Sequence, residues 1–295
     1  MRILVTGAGG QVGFELLRAL APLGEVHALD RAGCDLADGA ELRATLDALR
    51  PQIIVNAAAY TAVDRAETDE ATATAVNATA LRLIGEAARV LGAPVLHFST
   101  DYVFDGGLDR PYAETDPVDP QGVYGRTKLA GERELAAATP HHWVLRTSWV
   151  VGAHGGNFAR TMLRLAAERD ALNVVADQIG APTSAALLAD LSAHVLRRWQ
   201  LGGDAGAAFG LYHVTAAGHT SWCDYARFVL AQAQAAGRTL KAGPDDVRPI
   251  ATSQYPTPAR RPANSRLDTA RFTQTFGLRL PPWQEGVSHV LRQIL

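Results

Sequence analysis

Lysine is almost missing from this chain: of 28 basic residues only Lys128 and Lys241 are lysine, and arginine supplies the rest. Where a positive charge alone suffices the chain uses guanidinium, so each lysine marks a place for a compact ammonium on a flexible stem. Cysteine is as scarce. Cys34 and Cys223 lie far apart in 295 residues, which excludes a disulfide framework and fits a reducing cytosol. The 28 basic and 30 acidic residues leave a net charge of −2, without the basic field that nucleic acid requires. No apolar run approaches the roughly 18 residues of a membrane span, so no membrane partner is expected. Met1-Arg2 leads directly into an apolar strand rather than an h-region with a small-residue cleavage site, which predicts a cytoplasmic protein without a signal peptide. The nine histidines show no His-Glu-x-x-His spacing, and none is assigned to a metal. No Gly-x-Ser-x-Gly turn occurs, which argues against a serine hydrolase.

What is there is an ordinary globular composition, 47% hydrophobic and 20% charged, in a chain long enough for one large domain or two lobes. The first half alternates short β-rich runs with helical patterns. Strands are predicted over 3–6, 25–29, 53–56, 94–99 and 142–146, with helices near 11–22, 39–50, 68–91 and 124–137. That alternation predicts an α/β fold, a doubly wound parallel sheet of the Rossmann type over residues 1–150. Beyond 150 the pattern loosens, with helices near 156–169, 185–199, 221–236 and 283–295 and short strands near 172–175 and 211–214. The segment 241–266 carries five prolines and reads as an ordered, turn-rich loop. Residues 151–295 are therefore expected to form a smaller substrate-binding lobe over the carboxyl ends of the sheet, with some segments returning to the first unit.

The first strand runs into Gly7-Ala8-Gly9-Gly10-Gln11-Val12-Gly13, which opens the first helix. Glycines at that strand-to-helix junction allow a tight turn and close approach of backbone N–H groups to a dinucleotide's pyrophosphate. Asp30 ends the second strand 23 residues after Gly7, where a carboxylate can accept from both adenosine ribose hydroxyls. That favours NAD, whereas Arg31 beside it could bind the extra phosphate of NADP, so NADH and NADPH both stay open as cofactors. Asp35 and Leu36 are placed to meet the adenine ring. Asn56-Ala57-Ala58-Ala59 ends the third strand with small residues that leave room beside the sheet. Tyr124 and Lys128 lie four residues apart, on one face of a helix. With 7 tyrosines and 2 lysines, such a pair arises by chance about 0.05 times. The ammonium is expected to lower the phenol's pKa and make Tyr124 a usable proton donor. Thr100, at the end of the fourth strand, can offer a hydroxyl to a substrate oxygen; the alternative for Thr100 is a helix cap.

The glycine turn, Asn56-Ala57-Ala58-Ala59, Ser99-Thr100-Asp101-Tyr102-Val103-Phe104, and Thr100 preceding Tyr124 by 24 positions together resemble the extended short-chain dehydrogenase/reductase family. Six blocks narrow the resemblance to the dTDP-4-dehydrorhamnose reductases within it: Val55 to Asp64, Val123 to Glu132, Arg146 to Val150, Asp177 to Thr183, Gly210 to His213 and Arg261 to Leu267. The resemblance implies that NAD(P)H reduces the 4-keto group of dTDP-4-dehydro-β-L-rhamnose to give dTDP-β-L-rhamnose, a precursor of lipopolysaccharide or another glycan. It further implies cofactor contacts from Gly10, Gln11, Val12, Asp30, Asp35, Leu36, Ala59, Tyr60, Thr61 and Phe98, with Tyr124 and Lys128 at the nicotinamide ribose. Thr100 and Asp101 would face the sugar, and Trp149 would lie against the nucleotide-sugar unless it is only a core aromatic. Asn157, Arg261 and Asn264 are implied at the dTDP pyrophosphate.

Some members of that family dimerise through magnesium-linked carboxylates. Here Glu15 is present, but Ala186 and Gln293 stand where the other carboxylates would align, which leaves too few hard oxygen donors for Mg2+. A monomer or weak homodimer without a bridging metal is the expectation. Two other readings stay open: an epimerase or dehydratase of the same fold, which Asp101 beside Thr100 keeps in play, and a non-catalytic regulatory subunit that keeps the fold as a binding module.

Overall fold

Apolar runs such as Ile3-Leu4-Val5 and Ile53-Ile54-Val55 form the centre of the sheet, as strands buried on both faces demand. The computed structural model describes residues 1–295, the side chain of Ala205 excepted. Its central sheet holds β1 (Arg2–Thr6), β2 (Glu25–Leu29), β3 (Ile53–Asn56), β4 (Val95–Thr100), β5 (His142–Thr147) and β6 (Gly210–His213), in the spatial order β6-β5-β4-β3-β1-β2. All neighbours pair in parallel. The chain reverses its direction of travel at β1, and the carboxyl ends of β1 and β3 open a crevice there.

Side chains alternate between the two faces, and each face has its own core. Ile3, Val5, Ile53, Val55, Leu96, Trp143 and Leu145 pack against α1 (Gln11–Leu20) and the long helix Ala185–Ala207. Leu4, Ile54, Val95 and Val144 meet α2 (Gly39–Leu49), α3 (Ala80–Leu91) and α4 (Val123–Ala138). Gly92 ends α3 in the left-handed conformation. The helix expected over 68–91 runs without interruption from Glu70 to Leu91, with one wide π turn, Ala75–Thr79, inside it and a separate short turn, Val63–Ala66, before it. The π turn holds Asn77, whose side chain accepts from Tyr60 N–H at 2.9 Å and donates to Thr127 Oγ1 at 3.1 Å.

A further core joins α5 (Phe158–Glu168), α7 (Trp222–Ala235) and α9 (Trp283–Ile294), α6 being the helix Ala185–Ala207 already described. Leu172–Val175 pairs there in parallel with Val247–Ile250. The latter strand lies inside the segment expected to be loop. It tolerates Pro249 because a two-stranded pair has outer edges on which a missing N–H breaks no ladder bond. α8 (Ala270–Phe276) was likewise not expected. It is only seven residues long, too short for a helical period to stand out. No helix among the described residues is long and apolar enough to cross a membrane.

Candidate active site

Five of the parallel strands, β1 to β5, end at one cleft of about 980 Å³. Its floor is the turn Gly7–Gly10 and the start of α1. Gly7 has φ +74°, and a Cβ there would sit 2.5 Å from Ala58 N, so only glycine fits between β1 and β3. Gly10 caps α1 with no side-chain hydrogen bond, and the first turn holds no acidic residue. The helix therefore offers free N–H donors and the positive end of its dipole to the cleft, which suits the diphosphate of a dinucleotide. Gln11 turns its side chain aside, accepting from Gly152 N–H at 2.7 Å and from Asn157 Nδ2 at 3.1 Å. At the end of β2, Asp30 Oδ1 accepts from the N–H groups of Ala32 and Gly33, both at 3.0 Å, which sets the orientation of its carboxylate. Arg31 reaches Asp35 at 3.2 Å, so the guanidinium and the carboxylate lie together at the β2 end of the cleft. Val12, Leu36, Ala59, Tyr60, Thr61 and Phe98 complete this half of the lining.

The other half holds Thr100, Asp101, Tyr124 and Lys128. Thr100 ends β4, accepts from Tyr102 N–H at 3.2 Å and donates to Asp101 Oδ1 at 3.1 Å. Asp101 is buried, its Oδ2 has no partner, and burial pushes its carboxyl up to about 6 against the hydroxyls of Ser265 and Thr100. Tyr124 and Lys128 both reach the cleft from α4. The Tyr102 ring meets Tyr124 edge-on at 5.4 Å. One expectation is corrected here. Burial pushes the Tyr124 phenol well above its usual range, with only the Thr100 hydroxyl opposing, and Lys128 does not hold it down. The reason is where the lysine amine is directed: Nζ donates to Phe98 O at 2.7 Å and lies 3.0 Å from His97 Nε2. Burial also brings Lys128 down to about 7, with Glu132 one turn on opposing.

Trp149 closes the far side. It is in the left-handed region at φ 49°, rare for a bulky residue and retained where the surroundings over-determine it. Its indole stacks on Trp222 with centroids 3.6 Å apart, and Gly180 lies beneath, where a Cβ would come within 2.4 Å of the ring. Trp222 lines the cleft and was not singled out from the sequence. A lone tryptophan opening a helix has no spacing partner, and only the fold brings it to Trp149.

Three residues assigned from the resemblance lie outside the lining. Asn157 caps α5, accepting from Arg160 N–H, and donates to Gln11 and Gly152 O. Asn264 donates to Leu108 O and Arg110 O, both at 2.8 Å, while its carbonyl accepts from Arg266, so every polar atom of its side chain is engaged within the chain. Arg261 pairs with Asp64 at 2.7 Å beside Tyr102, and its Nη1 is buried without a partner. Glu15 bonds Arg18, and among the described residues no group of three or more His, Cys, Asp or Glu is placed to hold a metal.

The RmlD substrate binding domain matches residues 1–295. The dTDP-4-dehydrorhamnose reductase of Escherichia coli (strain K12) is 50% identical over 299 aligned positions, covering 100% of this chain and 98% of that protein. A crystal structure of a dTDP-4-dehydrorhamnose reductase from Clostridium acetobutylicum superposes with a TM-score of 0.90 at 34% identity, covering 99% of each chain. One from Bacillus anthracis, in complex with NADP, gives 0.87 at 32% identity, again over 99% of each. By its sequence over the full length and by its fold, the chain belongs to the RmlD substrate binding domain family, alongside proteins named dTDP-4-dehydrorhamnose reductase.

Proposed function

We propose that this chain reduces the 4-keto group of dTDP-4-dehydro-β-L-rhamnose to dTDP-β-L-rhamnose, with NADPH or NADH as reductant. One observation carries the reading: Thr100, Tyr124 and Lys128 share a wall of the same cleft that holds the glycine turn and the uncapped start of α1. The reduced nicotinamide supplies the hydride when bound. The chain supplies the proton and the geometry. Gly7, Gly10, Gln11 and Val12 would hold the diphosphate, Asp30, Asp35 and Leu36 the adenosine, and Ala59, Tyr60, Thr61 and Phe98 the remaining length. Thr100 donates to the substrate's carbonyl oxygen, and Tyr124 delivers a proton to the same atom as negative charge develops there. A phenol raised by burial keeps its proton through the cycle until an alkoxide, a stronger base, is formed beside it. Lys128 would contact the nicotinamide ribose. Asp101 and Trp149 would bound the sugar nucleotide, and Asn157, Arg261 and Asn264 would lie toward the substrate's pyrophosphate. The chain works as a cytoplasmic monomer or weak homodimer, with residues 1–150 holding the cofactor and 151–295 the nucleotide-sugar.

Oxidation of NADPH and of NADH is followed with the dTDP-4-keto sugar as substrate. One equivalent of dinucleotide consumed per dTDP-rhamnose formed is the expected result. Conversion of the sugar without net consumption would assign the chain to the epimerases, and no conversion would leave only a binding module.

A further inference from the structure

Behind Lys128 the sheet carries polar side chains that the reaction above does not use. Thr6 lies opposite Asn56, and Asn56 opposite His97, in a row across β1, β3 and β4. All three are buried. Thr6 Oγ1 donates to Asn56 Oδ1 at 2.6 Å, and Ala58 N–H donates to the same oxygen at 3.2 Å. Asn56 Nδ2 stands 2.9 Å from His97 Nδ1, and His97 Nε2 stands 3.0 Å from Lys128 Nζ.

The donors give this row a direction. A backbone N–H can only donate, so Ala58 requires the amide oxygen of Asn56 on its side. The amide NH2 then faces His97 Nδ1, which must accept. A neutral imidazole that accepts at Nδ1 carries its proton on Nε2. That N–H is aimed at Lys128, whose ammonium form has three donors and no lone pair. We propose that His97 is a positioning residue for Lys128: its Nε2–H can be accepted only by the neutral amine, so the row Thr6–Asn56–His97 lowers the lysine's affinity for a proton beyond what burial alone does. Phe98 O takes one of the amine's hydrogens.

Burial above all holds His97 well below the usual histidine range, with the Asn56 backbone opposing, and a Lys128 ammonium would lower it further, so the ring stays neutral. The other charged or titratable groups around the pair are Tyr124 and Glu132 on α4, Asp101 after β4, and His142 and Arg146 on β5. Glu132 favours the ammonium, but it is tied to Arg146 at 2.6 Å. His142 acts on His97 in the same sense as Lys128 does.

The tautomer stands independently of the reductase reading; only its kinetic consequence rests on it. The scarcity of lysine makes the test clean, since protein labelled with 13C at lysine Cε gives two signals, Lys128 and Lys241. His97→Phe removes the N–H, and the Lys128 titration midpoint is expected to rise by at least about one pH unit, a tenfold change in proton affinity. Asn56→Asp accepts from Nδ1–H, turns the imidazole tautomer round and raises the midpoint as well. In the wild-type protein, 15N spectra of labelled histidine should place the His97 proton on Nε2. A proton on Nδ1, an imidazolium, or a Lys128 midpoint unmoved in a folded variant overturns the proposal, whether or not the chain reduces the keto-sugar. If the reductase reading also holds, the limb of the kcat pH profile that reports Lys128 moves with the NMR midpoint; a purely structural role would lower kcat and leave that limb in place.

Discussion

Asp101 shows how a single buried atom couples the site to stability. Its carboxyl sits at about 6 in the folded chain and near 3.8 when exposed. Between those values the native state holds a proton that the unfolded state has released, so stability falls as pH rises through the window and levels off above it. Asp101→Asn removes that loss. Urea midpoints from pH 4 to pH 7 should show the difference between variant and wild type changing by about 2 to 3 kcal/mol across the window. At Tyr124 the expected outcome is kinetic: Tyr124→Phe lowers kcat by roughly 10² to 10⁴, the size of a general-acid contribution, with NADPH binding retained. Turnover close to wild type would take the proton from some other group. Thr100, Tyr124 and Lys128 were legible in the sequence because their spacing is local and their chemistry unusual. His97 and Trp222 were not, since what makes them matter is a neighbour from a distant part of the chain. Asn264 reads in the sequence as a ligand contact in a characteristic block, and in the fold its side chain also ties the loop to Leu108, Arg110 and Arg266.

Helix α4 carries two groups of the site and is held to the sheet by a buried ion pair. Arg146 of β5 meets Glu132 in two parallel bonds of 2.8 and 2.6 Å, and Ser99 of β4 donates to the same carboxylate. Glu132→Ala would leave a buried guanidinium without its counter-ion, and a loss of about 3 to 5 kcal/mol is expected in chemical denaturation. Strand positions were readable because fully buried parallel strands are near-continuous apolar runs. One helix limit was missed, in α6, which runs past the expected end near 199 to Ala207 with a break at Gly203, φ 59°. Val247–Ile250 was hidden by the prolines around it, since pairing with Leu172–Val175 is not written in either segment alone.

At the scale of the molecule, the change of pattern near residue 150 is not where the sheet is completed. β6 pairs with β5 through Gly210–His213, and α6 covers the face that α1 shares. A chain truncated after residue 150 loses both, exposing Trp143, Leu145 and the edge of β5. It is expected to show no cooperative urea transition, whereas the full chain does. For the full chain, NADPH at a hundred times its Kd should add about 2.7 kcal/mol of stability, read as a rise in Tm. Strand order was the least legible feature, because pairing across such sequence distances depends on the whole set of strands and not on any one of them.

The late arrival of β6 also bears on how the protein is made. Synthesis at roughly 5–20 residues per second leaves several seconds between the emergence of β5 and of β6 from the ribosome. During that interval the nascent chain presents an unpaired strand edge and a bare apolar sheet face, the surfaces on which chaperones act and aggregates begin.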